Sequence, residues 1–267
     1  MVYRANLGGG YKNNKQYDSA ITVLNTALKM DSTYAWAWNC MGSVYESLKK
    51  RELAIKYFKK ACELDTMNSY YLNDLGYVYY WAKKYDSATA VLNKAIKMNP
   101  AIGDSWNYLA YVFYDLNKYD SALVYYNKAK SLTKANEFMW SNFAHLYVQM
   151  NNYKEAIRYA DIAIANNPKD SRAYAHKGFA YIKTGKIEQG IELLRTAISL
   201  DTSDYKSYYY LACYYALNNN TTESLGNLET SIQKGFDDIE RLKGEACFFN
   251  MRNDRRYKDL LALLQEK

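Results

Sequence analysis

The feature that most limits how this chain can fold is a period of 34 residues that runs through it. Trp106 and Trp140 lie 34 residues apart, and the only two prolines, Pro100 and Pro168, are separated by twice that distance. A constant period of this length is typical of repeat architectures, in which each repeat buries its apolar face against its neighbours. The 267 residues are therefore expected to form a stack of similar repeats.

Counted from residue 1, the period divides most of the chain into seven repeats. Their predicted bounds are 1–34, 35–68, 69–102, 103–136, 137–170, 171–204 and 205–238. The eighth position is small throughout and the eleventh is aromatic throughout. The occupants are Gly8, Gly42, Gly76, Ala110, Ala144, Gly178 and Ala212, and Tyr11, Tyr45, Tyr79, Phe113, Tyr147, Tyr181 and Tyr215. Residues spaced three and four apart share one helix face, so the first half of each repeat is predicted to be an amphipathic helix.

The second half of each repeat predicts a second helix that packs closely on the first. Small residues recur at the twentieth and twenty-seventh positions, as in Ala54 and Ala61, with a bulky residue such as Phe58 between them. Small residues let two helices approach closely, and the bulky residue fills the space beside them. Polar turn formers separate the helices, and both prolines fall where a helix is predicted to start.

Residues 1–238 closely resemble the tetratricopeptide repeat family. The resemblance rests on residue types at the family's spacing: an aromatic residue, then Leu-Gly, Tyr, Ala, a bulky residue, Ala and Pro. The resemblance implies an all-α fold, a right-handed α-solenoid (superhelix) of tandem helix-turn-helix repeats. The first repeat departs from the pattern with Arg4 and the run Gly8-Gly9-Gly10. Because each added glycine costs a helix about 1 kcal/mol, we expect its leading helix to be frayed or incomplete.

Residues 239–267 follow the last repeat and are predicted to be capping helices, because terminal repeats of a solenoid must cover an open apolar end. Asp254 is a good helix N-cap, and the run after it carries one apolar stripe. The stripe consists of Tyr257, Leu260, Leu261 and Leu264. The alternative is that this helix docks a second copy of the chain, so self-association through the C-terminal helices stays open.

Composition excludes several classes of function. The net charge of +7 is modest, and the lysines are spread along the chain, so no nucleic acid partner is expected. No apolar run approaches the ~20 residues of a membrane span and no secretory signal is visible, so a cytoplasmic location is expected. No metal or cofactor is expected, because the cysteines and histidines show no metal-binding spacing. These residues are Cys40, Cys62, Cys213, Cys247, His145 and His176.

A ligand site can be predicted from the family's geometry, in which the first helix of each pair lines the concave side. Asparagines recur there, and an amide side chain can both donate to and accept from the main chain of an extended peptide. Aromatic residues beside them are favoured interface anchors. The predicted peptide-binding residues are Asn39, Asn73, Asn107, Asn142, Trp36, Tyr70, Tyr77, Tyr80, Trp81, Tyr111, Tyr114, Phe138 and His145.

These patterns favour a protein-binding scaffold or adaptor over an enzyme. No phosphate loop, zinc helix, nucleophile elbow or dinucleotide fingerprint occurs in the sequence. The carboxylate clamp of chaperone-binding relatives is not expected, because no repeat has the required lysine at its fifth position. Two alternatives remain open: a structural spacer or self-association module of a larger sensor or envelope-associated protein, and carbohydrate binding on the aromatic wall.

Overall fold

The computed structural model describes residues 1–132 and 139–265, which fall into two compact units, Met1–Lys134 and Ala135–Lys267. We call these the N-terminal unit and the C-terminal unit. Every regular element in the described ranges is a helix. The predicted all-α solenoid of tandem helix pairs is therefore confirmed.

The N-terminal unit contains four helix pairs. They are α1 (Val2–Asn13) and α2 (Tyr17–Met30), α3 (Ala35–Ser47) and α4 (Arg51–Leu64), α5 (Ser69–Trp81) and α6 (Tyr85–Met98), and α7 (Gly103–Asp115) and α8 (Tyr119–Leu132). The two helices of each pair pack on each other, and each second helix packs on the first helix of the next pair.

The C-terminal unit contains three helix pairs and a C-terminal segment. The pairs are α9 (Met139–Gln149) and α10 (Tyr153–Asn166), α11 (Ser171–Lys183) and α12 (Ile187–Leu200), and α13 (Tyr205–Leu217) and α14 (Thr221–Gln233). The segment holds α15 (Ile239–Gly244), a 3-10 helix (Ala246–Met251) and α16 (Arg255–Gln265).

Small residues at the eighth position allow the paired helices to touch. A Cβ atom added at Gly8 would lie 2.5 Å from Leu24 Cγ, and one added at Gly42 would lie 2.7 Å from Phe58 Cδ1. The bulky residue of the second helix therefore lies directly over the backbone of the first. The expectation of a frayed leading helix was wrong, since α1 is continuous through its three glycines. Packing of Gly8 on α2 outweighs the poor helix propensity of this run.

An aromatic triad recurs in three repeats. A tryptophan at the fourth position and an aromatic residue at the eleventh both pack on a tyrosine at the twenty-third, with ring centroids 5.0–6.0 Å apart. The triads are Trp38–Tyr57–Tyr45, Trp106–Tyr125–Phe113 and Trp140–Tyr159–Tyr147. The indole Nε1 of Trp38 also donates to Ser32 O at 2.8 Å, and that of Trp106 donates to Pro100 O at 2.9 Å. These triads join both helices of a pair, and two of them also hold the preceding loop.

The turn inside each pair requires a left-handed residue at the fifteenth position. Its φ is positive in all seven repeats, from 55° at Asn151 to 87° at Gly185. In the first turn, Gln16 N donates to Tyr11 O at 2.9 Å, which closes the end of α1 around Lys15. This arrangement is the Schellman motif, in which glycine carries the least strain.

The C-terminal segment packs on the last helix pair. Asp254 Oδ1 accepts hydrogen bonds from Arg256 N at 2.8 Å and Tyr257 N at 3.3 Å, so the predicted N-cap of α16 is confirmed. Tyr257, Leu260 and Leu264 are buried in the core that also contains α13 and α14. Most of the apolar stripe of α16 is thus covered within this chain and is not a free docking face.

The contact of Gly190 with the backbone of α11 generates a stability prediction. A Cβ atom at Gly190 of α12 would lie 2.6 Å from Gly178 O, a backbone atom that cannot swing away. We expect Gly190→Ala to lower the free energy of unfolding by about 1–2 kcal/mol, because overpacking exceeds the gain in helix propensity. In urea denaturation, the control Gly226→Ala should raise it by up to about 1 kcal/mol, since nothing lies within 4 Å of that site. Equal effects of the two changes would contradict the proposed contact.

The left-handed turns generate a second prediction. Lys15 has φ 60° and is exposed, so Lys15→Gly should stabilise the protein by about 0.5–1 kcal/mol through relief of backbone strain. Gly185→Ala is the reciprocal change in open space, and it should destabilise by a similar amount. Thermal unfolding of both variants checks the pair, and the account is wrong if both shift the midpoint in one direction.

Candidate functional site

The first helices of the N-terminal unit lie side by side and are joined by polar contacts. Trp36 Nε1 on α3 donates to Asn6 Oδ1 on α1 at 3.1 Å. Tyr77 on α5 donates its hydroxyl to Glu46 Oε1 on α3 at 3.1 Å. Ser105 on α7 reaches back to α5 through a 2.8 Å hydrogen bond. Four helices therefore present one continuous surface.

We call the outward surface of α3, α5 and α7 the first-helix face. Its members occupy the second, fifth, sixth, ninth and thirteenth positions of their repeats, which share one side of a helix. They are Trp36, Tyr70, Asp74, Tyr77, Trp81, Asp104, Asn107 and Tyr111.

Two of the predicted asparagines lie beneath this face. Asn39 is 4% exposed and donates through Nδ2 to Asp74 Oδ2 at 3.0 Å. Asn73 is 7% exposed and accepts from Ser105 Oγ at 2.8 Å. Both amides bind the protein's own side chains, which an isolated sequence pattern does not reveal. Asn107 is half-buried, so it is the member of this set in the N-terminal unit that a bound main chain can reach.

Three predicted aromatics are exposed. Trp36, Tyr70 and Trp81 expose 39%, 62% and 47% of their surfaces. Such large apolar side chains gain the most from covering by a partner. Trp36 is held by its indole hydrogen bond, and Trp81 packs edge-on against Tyr77 with centroids 6.3 Å apart. Two of the three are therefore fixed by neighbours before any ligand arrives.

The other predicted tyrosines of this unit are partly buried and pack on one another or on neighbouring aromatic rings. Tyr80 stacks on Tyr111 with centroids 5.6 Å apart, and Tyr114 packs on Tyr119 at the same distance. Burial, and then the Glu46 carboxylate, raise the pKa of Tyr77 to about 12. Burial, and then Asp115, raise the pKa of Tyr80 further. The phenols of Tyr77 and Tyr80 are therefore neutral hydrogen-bonding and packing groups throughout the physiological range.

Carboxylates lie among the aromatics, and sequence reasoning missed them. Burial raises the pKa of Asp74 above its ordinary value, although the Asn39 amide opposes this shift. Asp104 is exposed at the second position of the next repeat. A cavity of about 300 Å³ opens beside Tyr77 and Trp81, and Glu46, Lys49, Arg51 and Val78 complete its lining. The available signal in the sequence was Asp74, a single aspartate among the aromatic residues of α5.

The remaining predicted residues belong to the C-terminal unit or lie outside the described residues. Phe138 lies outside them. Asn142 is half-buried on α9, and His145 stacks on His176 of α11 with ring centroids 4.5 Å apart. His176 is buried, and its Nδ1 lies 3.2 Å from the hydroxyl oxygen of Tyr210. The peptide-binding role of all thirteen residues stays a prediction.

The histidine pair is electrostatically unusual. Burial, then Lys206 and then the second imidazole, lower the pKa of His145 well below its ordinary value. Burial, then Lys206 and Arg172, do the same for His176. Two stacked imidazoles near fixed cations are therefore neutral at pH 7, and they act here as aromatic packing groups.

This arrangement predicts a dependence of stability on pH. Below pH ~6.5 the histidines bind protons in the unfolded chain but stay neutral in the native protein. The free energy of unfolding therefore falls as pH falls, by up to about 1.4 kcal/mol per pH unit for each group. We expect the double variant His145→Gln, His176→Gln to lose this slope between pH 7 and pH 5. Urea denaturation across that range measures the difference, and parallel curves for the two proteins would contradict the assignment.

Comparison with known proteins gives consistent family matches. A TPR repeat model matches residues 11–49, and a tetratricopeptide repeat model matches residues 35–66. A second tetratricopeptide repeat model matches residues 73–137 and 142–204. No curated protein sequence matches the chain. Among residues 1–132 and 139–265, no helix has both the length and the apolar character that crossing a membrane requires.

Solved structures show the same fold at low sequence identity. A tetratricopeptide repeat protein from Parabacteroides merdae is 15% identical, with a TM-score of 0.73 over 98% of each chain. The Cut9–Hcn1 hetero-tetramer of APC/C aligns at 16% identity and TM-score 0.71, covering 95% of this chain and 47% of that chain. This protein thus spans about half the length of that relative. YrrB, described as a TPR protein with an unusual peptide-binding site, aligns at 18% identity and TM-score 0.50, over 70% of this chain and 96% of YrrB.

Proposed function

The chain belongs to the tetratricopeptide repeat family, and we propose that it is a scaffold or adaptor that holds an extended peptide of another protein on the first-helix face. Tetratricopeptide repeats form protein-binding scaffolds, so the general role follows from the family. The location, the peptide and the absence of catalysis are the parts that we propose.

The observation that carries the proposal is the set of three exposed aromatics above an internally bonded polar layer. Trp36, Tyr70 and Trp81 offer apolar area, while the Asn39 amide beneath them already donates through Nδ2 to the Asp74 carboxylate. A partner that covers the rings therefore gains apolar burial without breaking this hydrogen bond. Preorganisation of this kind raises affinity by reducing the entropy lost on binding.

The dimensions of the face suit a short extended segment. Tyr70 and Trp81 stand at the two ends of α5, three helical turns apart, which corresponds to about 16 Å at 1.5 Å per residue. A fully extended chain covers this distance with about five residues. We propose that Asn107, half-buried on the neighbouring helix, accepts from and donates to the main chain of that segment.

The charges of the face favour a partner peptide with a cationic residue between apolar ones. Asp74 and the exposed Asp104 interact electrostatically with each other, although Lys12 on α1 also attracts the Asp74 carboxylate. A lysine or arginine of the peptide would relieve this like-charge repulsion, and flanking apolar side chains would cover Tyr70 and Trp81. The dissociation constant expected for such a linear segment is micromolar, which corresponds to about −8 kcal/mol.

The relatives support a binding role by fold-level analogy only. YrrB is described as having an unusual peptide-binding site, and Cut9–Hcn1 is a hetero-tetrameric assembly. Function in repeat proteins depends on the surface residues and not on the fold, so these neighbours do not specify this chain's partner.

Selection from a library of random peptides displayed on phage tests the proposal directly. Peptides enriched on the full chain should contain a basic residue flanked by apolar ones and bind with micromolar affinity in fluorescence anisotropy. Tyr70→Ala and Trp81→Ala should each weaken binding at least about tenfold, because each removes a central aromatic anchor.

Met67→Ala provides the matched control, since Met67 is 82% exposed in the loop before α5 and lies outside the first-helix face. This change should leave affinity within about twofold. Circular dichroism should show unchanged helicity in all three variants. Failure to enrich any peptide, or equal binding by the Trp81→Ala protein, would contradict the proposal.

A further inference from the structure

Two thiols and a carboxylate meet near the end of the C-terminal unit. Cys213 lies on α13, Glu245 directly follows α15, and Cys247 lies on the 3-10 helix that comes next. Their ligand atoms all lie within 4.8 Å of one another. Cys213 and Cys247 are 3% and 6% exposed, and the Glu245 side chain is 31% exposed. One side of the cluster is therefore buried and the other reaches solvent.

We propose that this cluster is a binding site for a divalent zinc ion, held by the Sγ atoms of Cys213 and Cys247 and by the carboxylate of Glu245, with water in the fourth position. Zinc takes cysteine sulfur and carboxylate oxygen in tetrahedral sites, whereas magnesium and calcium prefer oxygen alone. Binding releases the two thiol protons to solvent, and no electron is transferred.

The distances fit a tetrahedral ion. At a zinc–sulfur distance of about 2.3 Å, two sulfur ligands stand about 3.8 Å apart, and a carboxylate oxygen stands slightly closer. The observed limit of 4.8 Å for all three ligand atoms is within about 1 Å of this value. Closing the site therefore requires the three ligand atoms to approach one another by at most about 1 Å.

Neighbouring groups hold the carboxylate in the way that outer groups commonly hold metal ligands. Tyr209 donates its hydroxyl to Glu245 Oε2 at 3.0 Å, and Arg241 Nε lies 3.9 Å from the same oxygen. Both contacts fall on Oε2, so Oε1 carries neither of them. Such partners orient a ligand and typically change metal affinity 10- to 100-fold when removed.

Charge also balances at this site. Two thiolates and one carboxylate would exceed the charge of one zinc ion by one negative unit. The Arg241 guanidinium, 4.9 Å from the centroid of the Tyr209 ring, supplies one positive charge beside the cluster. A disulfide between the two cysteines would use the same sulfurs, but it would give Glu245 and its two partners no role.

A zinc ion bound at this site would link the last helix pair to the C-terminal segment. Cys213 comes from α13, while both other ligands come from residues that follow α15. A bound ion would therefore hold the C-terminal segment against the last helix pair. The free energy of zinc binding would then add to the free energy of folding. Sequence analysis expected no metal, yet Cys213 and Cys247 are one repeat length of 34 residues apart, which was the available signal.

Titration of the reduced full chain with cobalt(II) tests the site, because cobalt replaces zinc and absorbs light. We expect one equivalent of cobalt to produce thiolate-to-cobalt charge-transfer absorption and the intense visible bands of tetrahedral coordination, both removed by added zinc. Cys213→Ser should abolish the charge-transfer band or weaken binding at least tenfold, and Glu245→Gln, at a partly exposed position, should weaken zinc binding about tenfold.

The double variant Cys40→Ser, Cys62→Ser is the matched control, since both cysteines belong to the N-terminal unit and neither is a member of the cluster. It should bind cobalt like the unmodified chain. Should reduced protein give no cobalt–thiolate band, or should Glu245→Gln and the control bind equally well, the inference would be overturned. Circular dichroism checks whether Cys213→Ser is folded, and if it is unfolded the Glu245→Gln result alone decides the matter.

Discussion

The close approach of the two helices within each pair is the contact on which the rest of this structure depends. At Gly178 and Gly190 the backbones of α11 and α12 nearly touch, and at Gly8 the side chain of Leu24 lies directly on the opposite helix. No bulky side chain of the first helix fits at these points, so its bulky side chains lie to either side of the contact. There the triads such as Trp106–Tyr125–Phe113 form, and the remaining side of each first helix is left for the aromatics of the first-helix face.

Most of the fold could be predicted because the same packing pattern recurs in each repeat. Small residues, bulky residues and turn formers at a constant period identify the helix pairs without any tertiary information. A further signal was present: tryptophan at the fourth position occurs in the three repeats that have tyrosine at the twenty-third, as in Trp38 with Tyr57. Helix propensity alone misjudged α1, because contact of Gly8 with α2 is invisible to a local scale.

The surface was less predictable than the fold. Periodicity placed Asn39 and Asn73 on the first helices, but whether an amide faces solvent depends on its neighbours. Asp74 and Ser105 bind these amides, and each lies in the repeat that follows its partner, so the hydrogen bonds became visible only in three dimensions. Cys213, Glu245 and Cys247 were missed for the same reason, since no short motif joins them. Long-range side-chain pairing, and not secondary structure, determines both sites.

The most direct measurement is the indole NMR spectrum of the full chain with and without a selected peptide. Its five tryptophans each give one indole signal, and Trp38 and Trp106 serve as internal references because their Nε1 groups are bound to loop carbonyls. The account predicts that the peptide shifts the signals of Trp36 and Trp81 and leaves the two reference signals in place. Unchanged signals from Trp36 and Trp81 under saturating peptide would show that the first-helix face is not the binding surface.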